Sequence, residues 1–386
     1  MVMIFGYQEE DLIKRKAVFT AEEIAQQPEV WQKTIEQVKG IRIALSRLVE
    51  DVTSDGNFDV ILTGAGTSEY VGRALCPTLL QKLSGRVHAI GTTDIVASPE
   101  LFISPDRKTL LVSFARSGNS PESVGAVKAA DRISDKVKHL FITCNENGEL
   151  AKLAEQKPNC LSIVLAPETN DRSFAMTSSF TSMYLAALLA LTGDFDMDFY
   201  ETISSADKFL TRGYRELADF VNGNSFSRVV YLGSDVLKGI AQESALKVLE
   251  LTAGRMAAIF DTPMGFRHGP KSIVDDETVC VLFLSDSEHT RRYEMDVLRE
   301  LYRDRKGSKL IAVTSSEDGE VSEYCDLALP MGFRKPAANC QLAPAYVMVA
   351  QTMAMLYSMK LGITPDNPCP TGEVNRVVQG VTIYEE

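Results

Sequence analysis

What this chain lacks narrows its chemistry first. It has no CxxC pair, and its seven cysteines are odd in number and scattered. That usage fits free or buried thiols in a reducing compartment and argues against structural zinc. Long apolar runs are also missing. The longest, around Tyr184–Leu191, falls far short of the roughly 20 residues that a bilayer span requires. The N-terminus, Met-Val-Met-Ile-Phe-Gly-Tyr-Gln-Glu-Glu, has no basic segment and no small-residue cleavage site. No secretory signal is expected, and a cytoplasmic location is. Positive charge is in deficit, since 40 Lys and Arg face 52 Asp and Glu for a formal net charge of −12. Nucleic acid and anionic membranes are therefore not expected partners, because both demand a basic footprint. An anionic ligand would need a pocket in which backbone amides and one or two basic side chains overcome the global field.

What is present is a globular composition. With 45% hydrophobic and 24% charged residues, 25 Gly and 15 Pro, the chain is neither disordered, collagenous nor a coiled coil. Its 386 residues suggest two domains. The first 50 read as helical. Thr20-Ala21-Glu22-Glu23 has the form of a capping box and predicts a helix start. That helix should end near Gln27, before a proline. Pro28 then opens a second helix running to about Val49. The single Trp, Trp31, reads as a packing anchor within it.

Downstream, strands and helices alternate, which predicts parallel α/β sheets. The strand-like runs are Asp59–Thr63, Val87–Ile90, Thr109–Phe114 and His139–Thr143, with helices following the first run and from Pro121 to about Arg132. The order recurs at Arg228–Leu232, Thr278–Leu284 and Leu310–Thr314. Overlaying Gly66 on Gly233, Thr109 on Thr278 and Thr143 on Thr314 gives offsets of 167, 169 and 171, the rhythm of a duplicated unit. The expected organisation is a helical segment over 1–50, one α/β domain over 51–210, a second over 211–366 and a tail over 367–386. A linker is expected within about 202–222.

Four motifs could carry chemistry. Arg116-Ser117-Gly118-Asn119-Ser120-Pro121-Glu122 follows a buried-type strand. Ser120 suits the N-cap and Pro121 the first helical position. Gly118 allows a tight turn that gathers N–H groups and hydroxyls at a positive helix end, an anion cradle to which Arg116 adds a planar donor. Gly64-Ala65-Gly66-Thr67-Ser68 is a second strand-to-helix turn. Position 69 is Glu, so it is a poor dinucleotide fingerprint, and no GxxxxGK[ST] occurs. Two hydroxyl-rich turns, with Thr177-Ser178-Ser179 as a third candidate, suit a phosphorylated polyol. Glu243, Lys247 and Glu250 fall at i, i+4 and i+7 on one face of an otherwise apolar helix. A carboxylate beside a lysine there could shuttle protons. Finally, His268 stands on a turn between Arg267 and Gly269-Pro270, one of only four histidines and suited to proton transfer near neutrality. Each motif also has a plain reading as a capped turn, a solvated ion pair or a surface histidine.

Together these residues resemble the SIS (sugar isomerase) domain family in tandem. Gly64-Ala65-Gly66-Thr67-Ser68 and Ser117-Gly118-Asn119-Ser120-Pro121-Glu122 look like its phosphosugar-binding turns. Glu243-Ser244-Ala245-Leu246-Lys247-x-x-Glu250 followed by His268-Gly269-Pro270 looks like the isomerase half of glucosamine-6-phosphate synthase. The whole chain, with Phe19-Thr20-Ala21-Glu22-Glu23-Ile24 and the Asn375–Thr382 tail, is similar to the AgaS-type enzymes, described as tagatose-6-phosphate ketose/aldose isomerases or galactosamine-6-phosphate deaminases.

The resemblance implies that Ser68, Arg116, Ser117 and Ser120 hold a 6-phosphate. It implies that Glu250 moves a proton between C1 and C2, that His268 opens the ring from a neighbouring subunit, and that Glu243 and Lys247 orient hydroxyls and tune Glu250. A homodimer or higher oligomer acting on a phosphorylated amino sugar follows, with no metal or redox cofactor. Two departures from the synthase stand out. Its glutaminase domain with an N-terminal Cys has no counterpart in a chain that starts Met-Val-Met, which favours loss of ammonia over amination. Its tail lysine is replaced by Gln379. A plain aldose–ketose isomerase and a non-catalytic phosphosugar sensor are the alternatives; a sensor would have no use for the Glu243/Lys247/Glu250 face.

Overall fold

Parallel strands are covered on both faces and so read as continuous apolar runs, and two sheets form from such runs. In a computed structural model that describes residues 3–378 and 380–384, the first sheet has the spatial order Val87–Ala89, Phe58–Thr63, Lys108–Ala115, Val137–Thr143, Cys160–Val164, parallel throughout. The second runs Ala257–Asp261, Arg228–Gly233, Thr278–Phe283, Lys309–Thr314, Leu327–Pro330, also parallel. Counted along the chain, both sheets have the order 2-1-3-4-5. The direction of winding therefore reverses between each sheet's first and third strands, and the crevice beyond the carboxyl ends there is where ligands bind in such sheets.

The fold class is α/β with two tandem units, as expected, but three strands of these two sheets were not foreseen, nor was the short antiparallel pair Met3–Ile4 and Tyr7–Gln8. Cys160–Val164, Ala257–Asp261 and Leu327–Pro330 are edge strands, mostly half-buried, so their sequences lack the continuous apolar signature. The repeat also aligns differently. Gly66 and Asp235, 169 residues apart, share φ 56° and ψ −127° at the N-caps of the Thr67–Lys82 and Val236–Leu251 helices. Gly233 is thus the counterpart of Gly64, and the overlay of Gly66 on Gly233 is two residues out.

The N-terminal helices differ from expectation at their ends. The first relevant helix spans Val18–Ala25, so Thr20 lies inside it. The Thr20 hydroxyl donates to Asp366 at 2.8 Å instead of capping. The next helix, Gln27–Gly40, breaks before Arg42–Thr53. Trp31 is fully buried, its indole N–H bonded to Thr181 Oγ1 at 2.8 Å. The stretch 202–222 is not a linker but helix, from Tyr200–Lys208 through a π-helical turn at Phe209–Gly213 into Tyr214–Gly223.

The chain packs as two compact units. One holds the first sheet and is built from Glu29–Asp171, Ser178–Met197 and the residues from Gly372 onward. The other holds the second sheet and is built from the residues up to Pro28, Arg172–Thr177 and Asp198–Thr371. In the first, Ile61, Leu111, Ile95, Ala126 and Ala130 form part of the core on one sheet face. In the second, Val230, Leu232, Cys280, Leu282, Leu298 and Ala312 do so. The second unit also carries Asn339–Lys360, a 22-residue helix long and apolar enough by length and composition to cross a membrane, with its apolar window entirely buried. The reading of Tyr184–Leu191 as the longest apolar stretch missed this helix, because Gln351 and scattered hydroxyls interrupt it. All seven cysteines are free thiols.

Candidate active site

In the first unit, the two hydroxyl-rich turns leave the first and third strands and so flank that sheet's switch point. Gly64 is obligatory: a Cβ there would lie 2.5 Å from the Ser68 carbonyl carbon. This close approach sets Ser68, nine-tenths buried, in the first turn of its helix. On the other turn, Ser120 N-caps the Pro121–Ile133 helix, its Oγ accepting from Ser123 N–H. Gly118 has φ +69°, and a Cβ on it would lie 3.2 Å from Thr143 Oγ1 and 3.3 Å from Gly148 Cα.

A neighbouring turn that the sequence reading missed braces this one. Asn145 Nδ2 donates to the Ser117 carbonyl at 2.8 Å, and Glu149 N–H donates to Asn119 Oδ1 at 2.9 Å. The Asn-Glu-Asn-Gly run at 145–148 was the available signal. Arg116 is buried and its Nη2 donates to the Arg376 carbonyl at 2.8 Å. Arg376 is itself fixed by Nε on the Asp171 carbonyl at 3.0 Å. The Ser178 and Ser179 hydroxyls, the third candidate, are both taken up as donors to the Asp171 carboxylate. Gln379 lies outside the described residues.

In the second unit, Val236–Leu251 presents Glu243, Lys247 and Glu250 to one buried face. Lys247 and Glu243 are fully buried, and Glu250 keeps 23% of its side chain exposed. The Lys247 ammonium lies 3.2 Å from Glu243 Oε1 and also bonds Glu250 Oε2. Burial alone would pull the lysine down, but the two carboxylates outweigh it and hold the ammonium above its ordinary value. Of the two carboxylates paired with it, only Glu250 reaches the surface.

His268 is exposed, on the turn after a four-residue helix capped by Thr262. Its neighbours are pinned: Arg267 Nε and Lys271 Nζ pair with the two oxygens of Glu300 at 2.7 and 2.6 Å. Glu300 was not foreseen, and its position 32 residues beyond His268 gave no sequence signal.

The switch point of the second sheet is of the opposite character. Asp235 stands where the first sheet has Gly66, its carboxylate accepting from Val236 N–H and from Asn339 Nδ2 at 3.3 Å. Glu294 is fully buried and accepts from Ser285 N–H at 2.8 Å, and its burial raises its pKa. Asp286 takes Ser315 Oγ and Ala337 N–H. Three carboxylates thus stand at the ends of these strands, where the first sheet has hydroxyl-rich turns.

The sequence matches the SIS domain over residues 57–193 and again over 225–359. The chain is 41% identical to the D-galactosamine-6-phosphate deaminase AgaS of Escherichia coli over 95% of both chains. It is similar in structure to the tagatose-6-phosphate ketose/aldose isomerase of the same organism, with a TM-score of 0.87 and 38% identity over 95% of this chain and 96% of that one. A Clostridium novyi structure provisionally given the same isomerase name superposes over the full length of both chains, with a TM-score of 0.96 and 41% identity.

Proposed function

The chain belongs to the SIS domain family and carries the domain twice, and from that premise we propose that it converts galactosamine 6-phosphate and water into tagatose 6-phosphate and ammonia. The observation that carries the chemistry is the Lys247 cation held between Glu243 and Glu250, which leaves a single carboxylate poised as a base. Ser68, Ser117 and Ser120, with Arg116, hold the 6-phosphate at the first sheet's switch point. Their backbone amides and helix ends offset the charge of an otherwise acidic protein.

His268 opens the ring. Its exposure supports a role toward the sugar of a neighbouring subunit, in a cytosolic homo-oligomer. Glu250 then removes the C2 proton of the open-chain aldehyde, giving the C1–C2 enaminol. Returning that proton to C1 leaves a C2 iminium, which water hydrolyses to the ketone with release of ammonia. Lys247 pairs with Glu250, and Glu243 balances Lys247 so that the buried charge is paired.

The test is ammonia release from galactosamine 6-phosphate and glucosamine 6-phosphate, with the ketose product followed by NMR. Ammonia and tagatose 6-phosphate are expected from the galacto sugar. Glu250→Gln should lower kcat by about 10²–10⁴-fold with the melting curve unchanged; turnover that survives this change would sink the assignment. The second reading, favoured by the isomerase name of the two structural relatives, is aldose–ketose isomerisation without loss of nitrogen. It predicts solvent deuterium at C1 or C2 of an unaminated sugar phosphate and no ammonia.

A further inference from the structure

Six enclosed side-chain oxygens in the first unit have no hydrogen-bond partner among the described residues. Thr109 Oγ1 lies at the opposite end of its strand and Ser182 Oγ on the Ser178–Thr192 helix, leaving Thr63 Oγ1, Thr92 Oγ1, Ser113 Oγ and Glu122 Oε2 near the strand ends. Thr63, Thr92 and Ser113 are fully buried and Glu122 is 8% exposed. They belong to one layer. Thr63 and Ser113 are register partners on adjacent strands, so their side chains leave the sheet on the same face. That face is identified by the residues two positions earlier, Ile61 and Leu111, which share a core cluster with Ile95, Ala126 and Ala130. Ile95 lies three residues beyond Thr92, and Ala126 four beyond Glu122, on their respective helices. Thr92 and Glu122 therefore point into the same layer. Thr92 N–H is tied to the Gly64 carbonyl at 2.7 Å, which sets it beside the end of the Thr63 strand.

An unpaired buried hydroxyl costs on the order of 1–3 kcal/mol, and an unpaired carboxylate costs more. Four such oxygens in one layer call for an occupant that takes oxygen from several sides. One carboxylate and three neutral hydroxyls carry too little charge for a divalent ion, which gathers several carboxylates or carbonyls. No group of three or more His, Cys, Asp and Glu able to hold a metal occurs among the described residues. Hard oxygen donors of low total charge suit a hard ion of low charge.

We propose that this layer binds a monovalent cation, an alkali-metal ion or ammonium, through the Glu122 carboxylate and the hydroxyls of Thr63, Thr92 and Ser113. The cation lies at the strand ends from which the Gly64–Ser68 and Arg116–Ser120 turns depart. Its charge reinforces the anion cradle, and by linkage an anion on those turns reinforces the cation.

The full chain, exchanged into choline chloride, is titrated with potassium, sodium or ammonium chloride at constant ionic strength. Melting temperature and the affinity for inorganic phosphate are the readouts. At least one salt should give a saturable rise in melting temperature and several-fold tighter phosphate binding; which salt does so separates an alkali metal from ammonium. Glu122→Gln should abolish the saturable response. Ser113→Ala, a milder change on a central strand, should weaken it several-fold if the first variant folds poorly. Crystals soaked in thallium chloride should show an anomalous peak at the Glu122 carboxylate. A melting curve indifferent to all three salts, or a response that both variants leave intact, overturns the proposal in favour of buried water. The salt response is independent of which sugar phosphate is turned over, so its failure would leave the proposed reaction standing.

Discussion

Gly64 and Gly233 hold the same place in the two sheets for the same steric reason. A Cβ on Gly233 would lie 2.3 Å from the Leu237 carbonyl oxygen, matching the clash of Gly64 with Ser68. Neither obstacle is a flexible side chain, so the backbone itself would have to move. Gly64→Ala is expected to destabilise the first unit by about 2 kcal/mol or more and to raise the half-saturating phosphate concentration, as read by urea melts and by phosphate titration. Charged residues away from the site set the acid limb of stability. The Asp131 carboxyl would be raised by burial, but the hydrogen bonds from the His139 ring and the Lys157 ammonium hold it at about 2. A depressed folded value contributes stability that is complete above the unfolded value and fades as pH falls through the folded one. Asp131→Asn should therefore lower stability at pH 7 by about 1–2 kcal/mol, and the gap should close toward pH 2. Chemical melts of both proteins across that range measure it.

Among the elements, those with buried, apolar sequences were legible and those at the margins were not. Thr109–Phe114 and Thr278–Leu284 announced themselves because central parallel strands bury both faces. The edge strand Ala257–Asp261 did not, since half its surface is open. Glu243, Lys247 and Glu250 were legible from helical spacing, because an apolar helix leaves three charges nowhere else to go. The Thr20 capping box was misread: Thr20 has the cap's residue type, but its hydroxyl bonds a residue 346 positions away, and local patterns carry no information about such partners. Glu300 was invisible for the same reason. Its two ion pairs make it a positioning residue for the His268 turn. Glu300→Gln should lower kcat about tenfold and change KM and the melting temperature little. A matching loss of melting temperature would instead mark the pair as a prop of the fold.

Across the whole molecule, each unit is assembled from three separate stretches of chain, so neither can be excised as one segment. The second unit depends on its earliest residues. Thr20 N–H and Oγ1 both bond Asp366 at 2.8 Å, and Gln27 Nε2 bonds Gln351 at 2.8 Å inside the core. The nearly buried Glu23 carboxylate accepts from the backbone N–H groups of Arg172 and Ser173. Residues 198–371 expressed without residues 1–28 and 172–177 should lack a cooperative thermal transition by circular dichroism. A sharp transition in that fragment would show the early helices to be dispensable.

The bond between Thr20 and Asp366 also has a clock attached to it. The two residues are 346 positions apart, and at synthesis rates of about 5–20 residues per second the partner arrives some 17–70 s after the helix that needs it. Until then the Val18–Ala25 helix, with buried Thr20, Ala21, Glu23 and Ile24, lacks that partner. Slowing the ribosome between Thr20 and Asp366 lengthens that wait and should lower the yield of soluble protein.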